Sequence, residues 1–61
     1  MAKKTLSWTK EHMRATVNDT GSKIQLNVVN MRNNASVLST ECGTWEAAVS
    51  QGQEALNEHT S

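Results

Sequence analysis

The stretch that decides the fold is HMRATVNDTGSKIQLNVVNM, residues 12–31. Apolar residues alternate with polar ones in two runs: Met13, Ala15 and Val17 within residues 12–18, and Ile24, Leu26 and Val28 within residues 23–31. A period of two is typical of half-buried strands. Between the runs, Asn and Asp precede Gly21, which tolerates a positive φ. The stretch predicts an antiparallel hairpin, with a bulge where Val28 and Val29 break the alternation.

Further strands are predicted on both sides of this hairpin. Leu6 and Trp8 share one face of a short first strand. Asn33 and Asn34 tolerate the left-handed conformation, so a second tight turn there leads into a strand at residues 35–40.

From residue 44 the hydrophobic period changes to 3.6, which predicts an amphipathic helix. Its apolar stripe comprises Trp45, Ala48, Val49, Gly52, Leu56 and His59. Gly43 ends the preceding strand, Thr44 is a suitable N-cap, and Glu46 favours the positive end of the helix dipole. Gly52 costs about 1 kcal/mol relative to Ala. It indicates either a close crossing with another element or a simple weak point.

These elements predict one α+β domain over residues 1–61, an antiparallel three- or four-stranded β-meander followed by one C-terminal amphipathic helix packed on one sheet face. We expect the helical residues Trp45, Val49 and Leu56 to contact Met13, Val17, Ile24, Leu26 and Val28 of the sheet. The other face stays polar and carries Arg14, Thr16, Lys23, Gln25 and Asn27. Uncovered strand edges invite pairing with a second chain, so we expect a homodimer.

Composition favours a small binding protein over a catalyst. The chain has 61 residues, 36% of them hydrophobic, with no Phe, Tyr or Pro, so its core is small and a multi-domain enzyme is excluded. A single cysteine, Cys42, excludes an internal disulfide, which leaves a partner as a source of stability. No signal-peptide core and no membrane span are present, so we expect a cytoplasmic protein without membrane contact.

The net charge of zero hides two halves of opposite sign. Residues 1–32 carry six cations and two anions, for +4, whereas residues 33–61 carry four Glu and no cation, for −4. The basic half could face phosphates or an acidic protein, and the acidic half a basic partner or another copy. A solvated surface without a partner is the alternative.

Site chemistry is sparse, so we expect no enzyme, no metal and no cofactor. His12, His59 and Cys42 have neither metal-ligand spacing nor the arrangement of a catalytic triad.

Nucleic-acid binding on the polar sheet face is the second hypothesis, although exposed aromatic residues for base stacking are scarce. Protein binding remains. Its candidate contact residues are Trp8, Arg14, Lys23 and Arg32 on the sheet side and Glu46, Glu54 and Glu58 on the helix side. Trp8 is either a contact anchor or packs at the sheet edge or under the helix end.

A resemblance to a known family begins at the helix start. The run CGTWEAA at residues 42–48, continuing through Glu54, Ala55 and Leu56 to His59, resembles the helix of the HicB-type antitoxins. The turn at residues 19–21 and the strand at residues 24–28 also fit that family. The resemblance implies non-covalent binding of a small toxin protein by sheet and helix, with dimerisation and without operator binding. A phage or mobile-element inhibitor, whose acidic helix imitates nucleic-acid charge, is the other regulatory interpretation.

Overall fold

Four strands and one helix make up the computed structural model, which describes residues 4–60. The elements are β1 (Lys4–Lys10), β2 (Met13–Asp19), β3 (Ile24–Asn30), β4 (Ala35–Cys42) and α1 (Trp45–Thr60). The strands form one antiparallel sheet in the order β1-β2-β3-β4, and α1 packs on one face of it. The predicted α+β meander is confirmed, with four strands. Within residues 4–60, no helix has both the length and the apolar character needed to cross a membrane.

The three turns rest on local hydrogen bonds and on positive φ angles. In the β2–β3 turn, Gly21 has a φ of 97° and its N–H donates to Oδ1 of Asp19 at 2.9 Å. In the β3–β4 turn, Asn34 adopts a φ of 56° and Oδ1 of Asn33 accepts the N–H of Ala35. Both predicted turns are confirmed. Glu11 in the β1–β2 turn, at a φ of 55°, is unexpected for a glutamate.

A bulge interrupts the pairing of β3 with β4. Val28 pairs with Leu38, whereas Val29 pairs with Ser36, which leaves Val37 as the extra residue. The bulge predicted from Val28 and Val29 is therefore confirmed at this position, and its additional residue belongs to β4.

The helix begins where its capping residue predicts. Oγ1 of Thr44 accepts the N–H of Ala47 at 3.1 Å, and the carbonyl of Thr44 accepts the N–H of Ala48 at 3.2 Å. The side-chain bond satisfies one of the N–H groups that a helix start leaves without intrahelical partners, and the carbonyl of Thr44 accepts the first regular bond of the helix.

The core lies between α1 and the two central strands. Its buried residues are Met13, Ala15, Val17, Leu26, Val28, Ala48, Ala55 and Leu56. Trp45, Val49 and Ile24 pack against this core but are only half-buried. The prediction that His59 belongs to the buried stripe is wrong, because it lies in the last turn of the helix, beyond the last buried residue Leu56, and is exposed.

Candidate functional site

The two faces of the sheet differ in chemistry. Leu6 and Trp8 lie opposite the core residues Val17 and Ala15, so the even-numbered residues of β1 share the face on which α1 packs. The opposite face is polar: among its residues are Thr5, Ser7, Thr9, Arg14, Thr16, Asn18, Gln25, Asn27, Ser39 and Glu41. This confirms the predicted polar face, except that Lys23 lies in the β2–β3 connection, where it forms an exposed ion pair with Glu41 at 3.1 Å.

Trp8 is half-buried at the sheet edge beneath the helix. A Cβ atom added to Gly52 would lie 2.9 Å from both Cη2 and Cζ2 of Trp8 and 3.2 Å from Cδ1 of Leu26. These distances are shorter than van der Waals contact. Gly52 is therefore required by a close crossing of the helix over the sheet, and Trp8 packs against the helix while part of its surface stays exposed.

A groove beside β1 combines an aromatic ring, a cation and two amides. It has a volume of about 300 Å³ and is lined by Trp8, Thr9, Lys10, Gln53, Leu56 and Asn57. Nζ of Lys10 donates to Oδ1 of Asn57 at 2.6 Å. At the other end of the strand, Nζ of Lys4 lies 4.9 Å from the centroid of the Trp45 ring. We call Lys4, Leu6, Trp8 and Lys10, with this groove, the β1 surface.

Leu6 stands out on the β1 surface because 42% of this large apolar residue is exposed. It lies between the two lysines on the helix-facing side of an edge strand. Within residues 4–60, β1 pairs with a neighbour on one side only, so its outer backbone N–H and C=O groups face away from the sheet.

A second groove, beside β4, has the opposite charge. Leu38, Gln51, Glu54, Ala55 and Glu58 line it, and its volume is about 320 Å³. Two of its five lining residues are carboxylates and none is a cation, whereas the groove of the β1 surface contains a lysine and no carboxylate.

The contact residues predicted from the sequence lie on several different surfaces. Trp8 faces α1, whereas Arg14 is exposed on the opposite face of the sheet. Arg32 is exposed in the β3–β4 turn, and Glu46 is exposed in the first helical turn. Among the seven predicted residues, Glu54 and Glu58 share the groove beside β4, and Lys23 forms its ion pair with Glu41.

Sequence reasoning missed Lys10, Gln53 and Asn57, which line the groove with Trp8, and Lys4, which lies on the same face of β1. The two lysines were accessible to prediction, because the alternation that pairs Leu6 with Trp8 also places residues 4 and 10 on the same face. The two amides were not, because their position depends on the angle at which α1 crosses the sheet.

The remaining reactive side chains do not assemble into a larger group. Residues 4–60 contain no cluster of three or more His, Cys, Asp or Glu side chains that could hold a metal ion. The half-buried Cys42 thiol donates to Oε1 of Gln51 at 3.7 Å.

No known protein family, curated protein or solved structure matches the chain.

Proposed function

We propose that this protein is a small, non-catalytic regulator that binds another protein by receiving an extended segment of it along β1. The observation that carries the proposal is a regular seven-residue edge strand that no other element of residues 4–60 covers, with exposed Leu6 beside a groove. An added strand gains main-chain hydrogen bonds from such an edge, and neighbouring pockets select its side chains.

Within this proposal, the protein is an antitoxin-like protein or an inhibitor of its partner, encoded by a phage or mobile element and acting in the cytoplasm. The support for this class is the HicB-like helix start at residues 42–48 and the three glutamates on a helix without Lys or Arg. We also propose a homodimer, since the core of residues 4–60 has only eight buried side chains and a second copy would add buried surface.

The alternative function, nucleic-acid binding by the polar sheet face, gains less support. Lys23 is paired with Glu41, and Trp8 packs on the other side of the sheet. Among the paired strand residues of 4–60, Arg14 is then the cation that this face offers to a phosphate backbone.

Affinity capture tests the proposed function. The tagged chain is incubated with a nuclease-treated lysate of its source, and bound proteins are identified by mass spectrometry. A Leu6→Lys variant should lose the partner, because a charge replaces an exposed apolar contact. Met31→Lys is the matched control, since Met31 is a turn residue of similar exposure, 37%. Equal capture by both variants, or recovery of nucleic acid alone, would contradict the proposal.

A further inference from the structure

We propose that the segment received along β1 is acidic at both ends and apolar in between, in the seven-residue alternating order acidic–x–apolar–x–apolar–x–acidic. This inference rests on the proposed function, because it names the chemistry of the partner segment at the same surface.

The spacing follows from the register of β1. Lys4, Leu6, Trp8 and Lys10 point to the helix-facing side, as their pairing with β2 requires. A strand added to the edge places its own alternate side chains directly beside these four, at the short distance of cross-strand pairs. Apolar residues therefore fall beside Leu6 and Trp8, and the terminal positions fall beside the two lysines.

The charge preference follows from what the lysines contact. Lys10 donates to the neutral amide of Asn57. Lys4 lies over the neutral ring of Trp45; its register partner in β2 is Asp19, whose Oδ1 accepts the N–H of Gly21. A carboxylate brought beside either ammonium group adds an attractive pair, whereas a cation there is repelled.

A second copy of the chain fits this surface less well. Antiparallel pairing of two β1 strands centred on Ser7 would place Lys4 of each copy opposite Lys10 of the other, and like charges directly opposite are destabilising. The edge strand β4 directs Leu38, Thr40 and Cys42 to the helix-facing side, and none of these is a carboxylate. An acidic segment of a different protein is the better match.

Peptide titration followed by amide chemical shifts tests the inference. The labelled protein is titrated with the capped peptides ETVTLTE, KTVTLTK and ETTVLTE; the third keeps the composition of the first but breaks its alternation. We expect ETVTLTE to bind about tenfold more tightly than KTVTLTK, because the basic peptide replaces two attractive pairs by two repulsive ones. We expect the same difference from ETTVLTE, because its Val turns to the other face of the added strand. The shifts should concentrate in β1, and added salt should reduce the difference between the charged peptides.

Charge reversal supplies the control. The double variant Lys4→Glu/Lys10→Glu should invert the preference between the acidic and basic peptides, whereas Arg14→Glu/Arg32→Glu makes the same change of net charge elsewhere and should keep it. Equal binding of all three peptides, equal effects of both double variants, shifts centred on β4, or exclusion of the peptides by self-association would overturn the inference. The proposed function would survive that result if the captured partner still depended on Leu6.

Discussion

The two edge strands of this sheet differ in regularity, burial and charge. β1 is unbulged, mostly exposed and flanked by Lys4 and Lys10. β4 contains a bulge at Val37, has half-buried Val37 and Leu38, and borders a groove with two glutamates. A bulge and local twist discourage pairing with another strand, whereas a regular edge favours it. The two edges are therefore protected in different ways: a bulge disrupts the ladder of β4, whereas β1 keeps a regular ladder and carries two lysines, which select for a strand of opposite charge.

The largest expected difference between the two edges is in their contribution to stability. Trp8→Ala should lower the free energy of unfolding by about 2 to 3 kcal/mol, because it removes a half-buried ring packed against the helix. Leu38→Ala on β4 should cost about 1 kcal/mol, since it removes a smaller half-buried side chain. Urea denaturation measures the free energy of unfolding of both variants. Equal losses would contradict the expectation that β1 contributes more to stability than β4.

The contact of β1 with the helix is tested at Gly52. Gly52→Ala should destabilise the protein by about 1 to 2 kcal/mol, although Ala is the better helix former, because its Cβ would press against Trp8 and Leu26. In a Trp8→Leu background the same substitution should be nearly neutral. A double-mutant cycle based on thermal unfolding measures the coupling, and additive effects would show that the close approach has no energetic weight.

The protection of the β4 edge against strand pairing is tested by removing its bulge. Deletion of Val37 restores a continuous ladder with β3 and should raise self-association about tenfold, because a regular strand is a better template for pairing. Val37→Ala retains the extra residue and serves as the control. Sedimentation velocity over a concentration series compares the two variants. If the deletion variant sediments like the control, the bulge does not protect this edge.

The smallest expected effects are at the turns that lead into the two edges. Glu11→Asn should stabilise the protein by about 0.5 kcal/mol, because Asn tolerates the left-handed conformation better than Glu. Asn34→Ala should cost about 1 kcal/mol for the converse reason. Thermal unfolding measures both changes, and a destabilised Glu11→Asn variant would contradict the assignment of strain to the β1–β2 turn.

Local sequence signals predicted most of the fold, because each element is specified by its nearest neighbours in the chain. Alternation specified β2 and β3, and Thr44 specified the helix start. Long-range geometry was less accessible. His59 is exposed three residues beyond Leu56, the last buried residue of the helix, although its spacing places it on the apolar stripe.

The candidate site was predicted only in part. The sequence predicts Trp8 as a contact residue but does not single out Lys4 and Lys10 on the same face, and the groove forms only where α1 crosses the sheet. Trp8 and Arg14 are both predicted as contact residues on the sheet side, whereas the register of β1 with β2 places them on opposite faces. Charge along the chain is therefore a poor guide to charge on a surface.

The division of the core among the strands also has a kinetic consequence. Within residues 4–60 all eight buried core residues belong to β2, β3 and α1, and β1 adds the half-buried Trp8, so opening of β1 disrupts less of the core than opening of β3. Such sub-global openings require less free energy than complete unfolding. The amides of β1 should therefore exchange with deuterium sooner than those of β3. A segment bound along β1 should slow that exchange. The strand that receives a partner is then also the strand whose motion the partner suppresses.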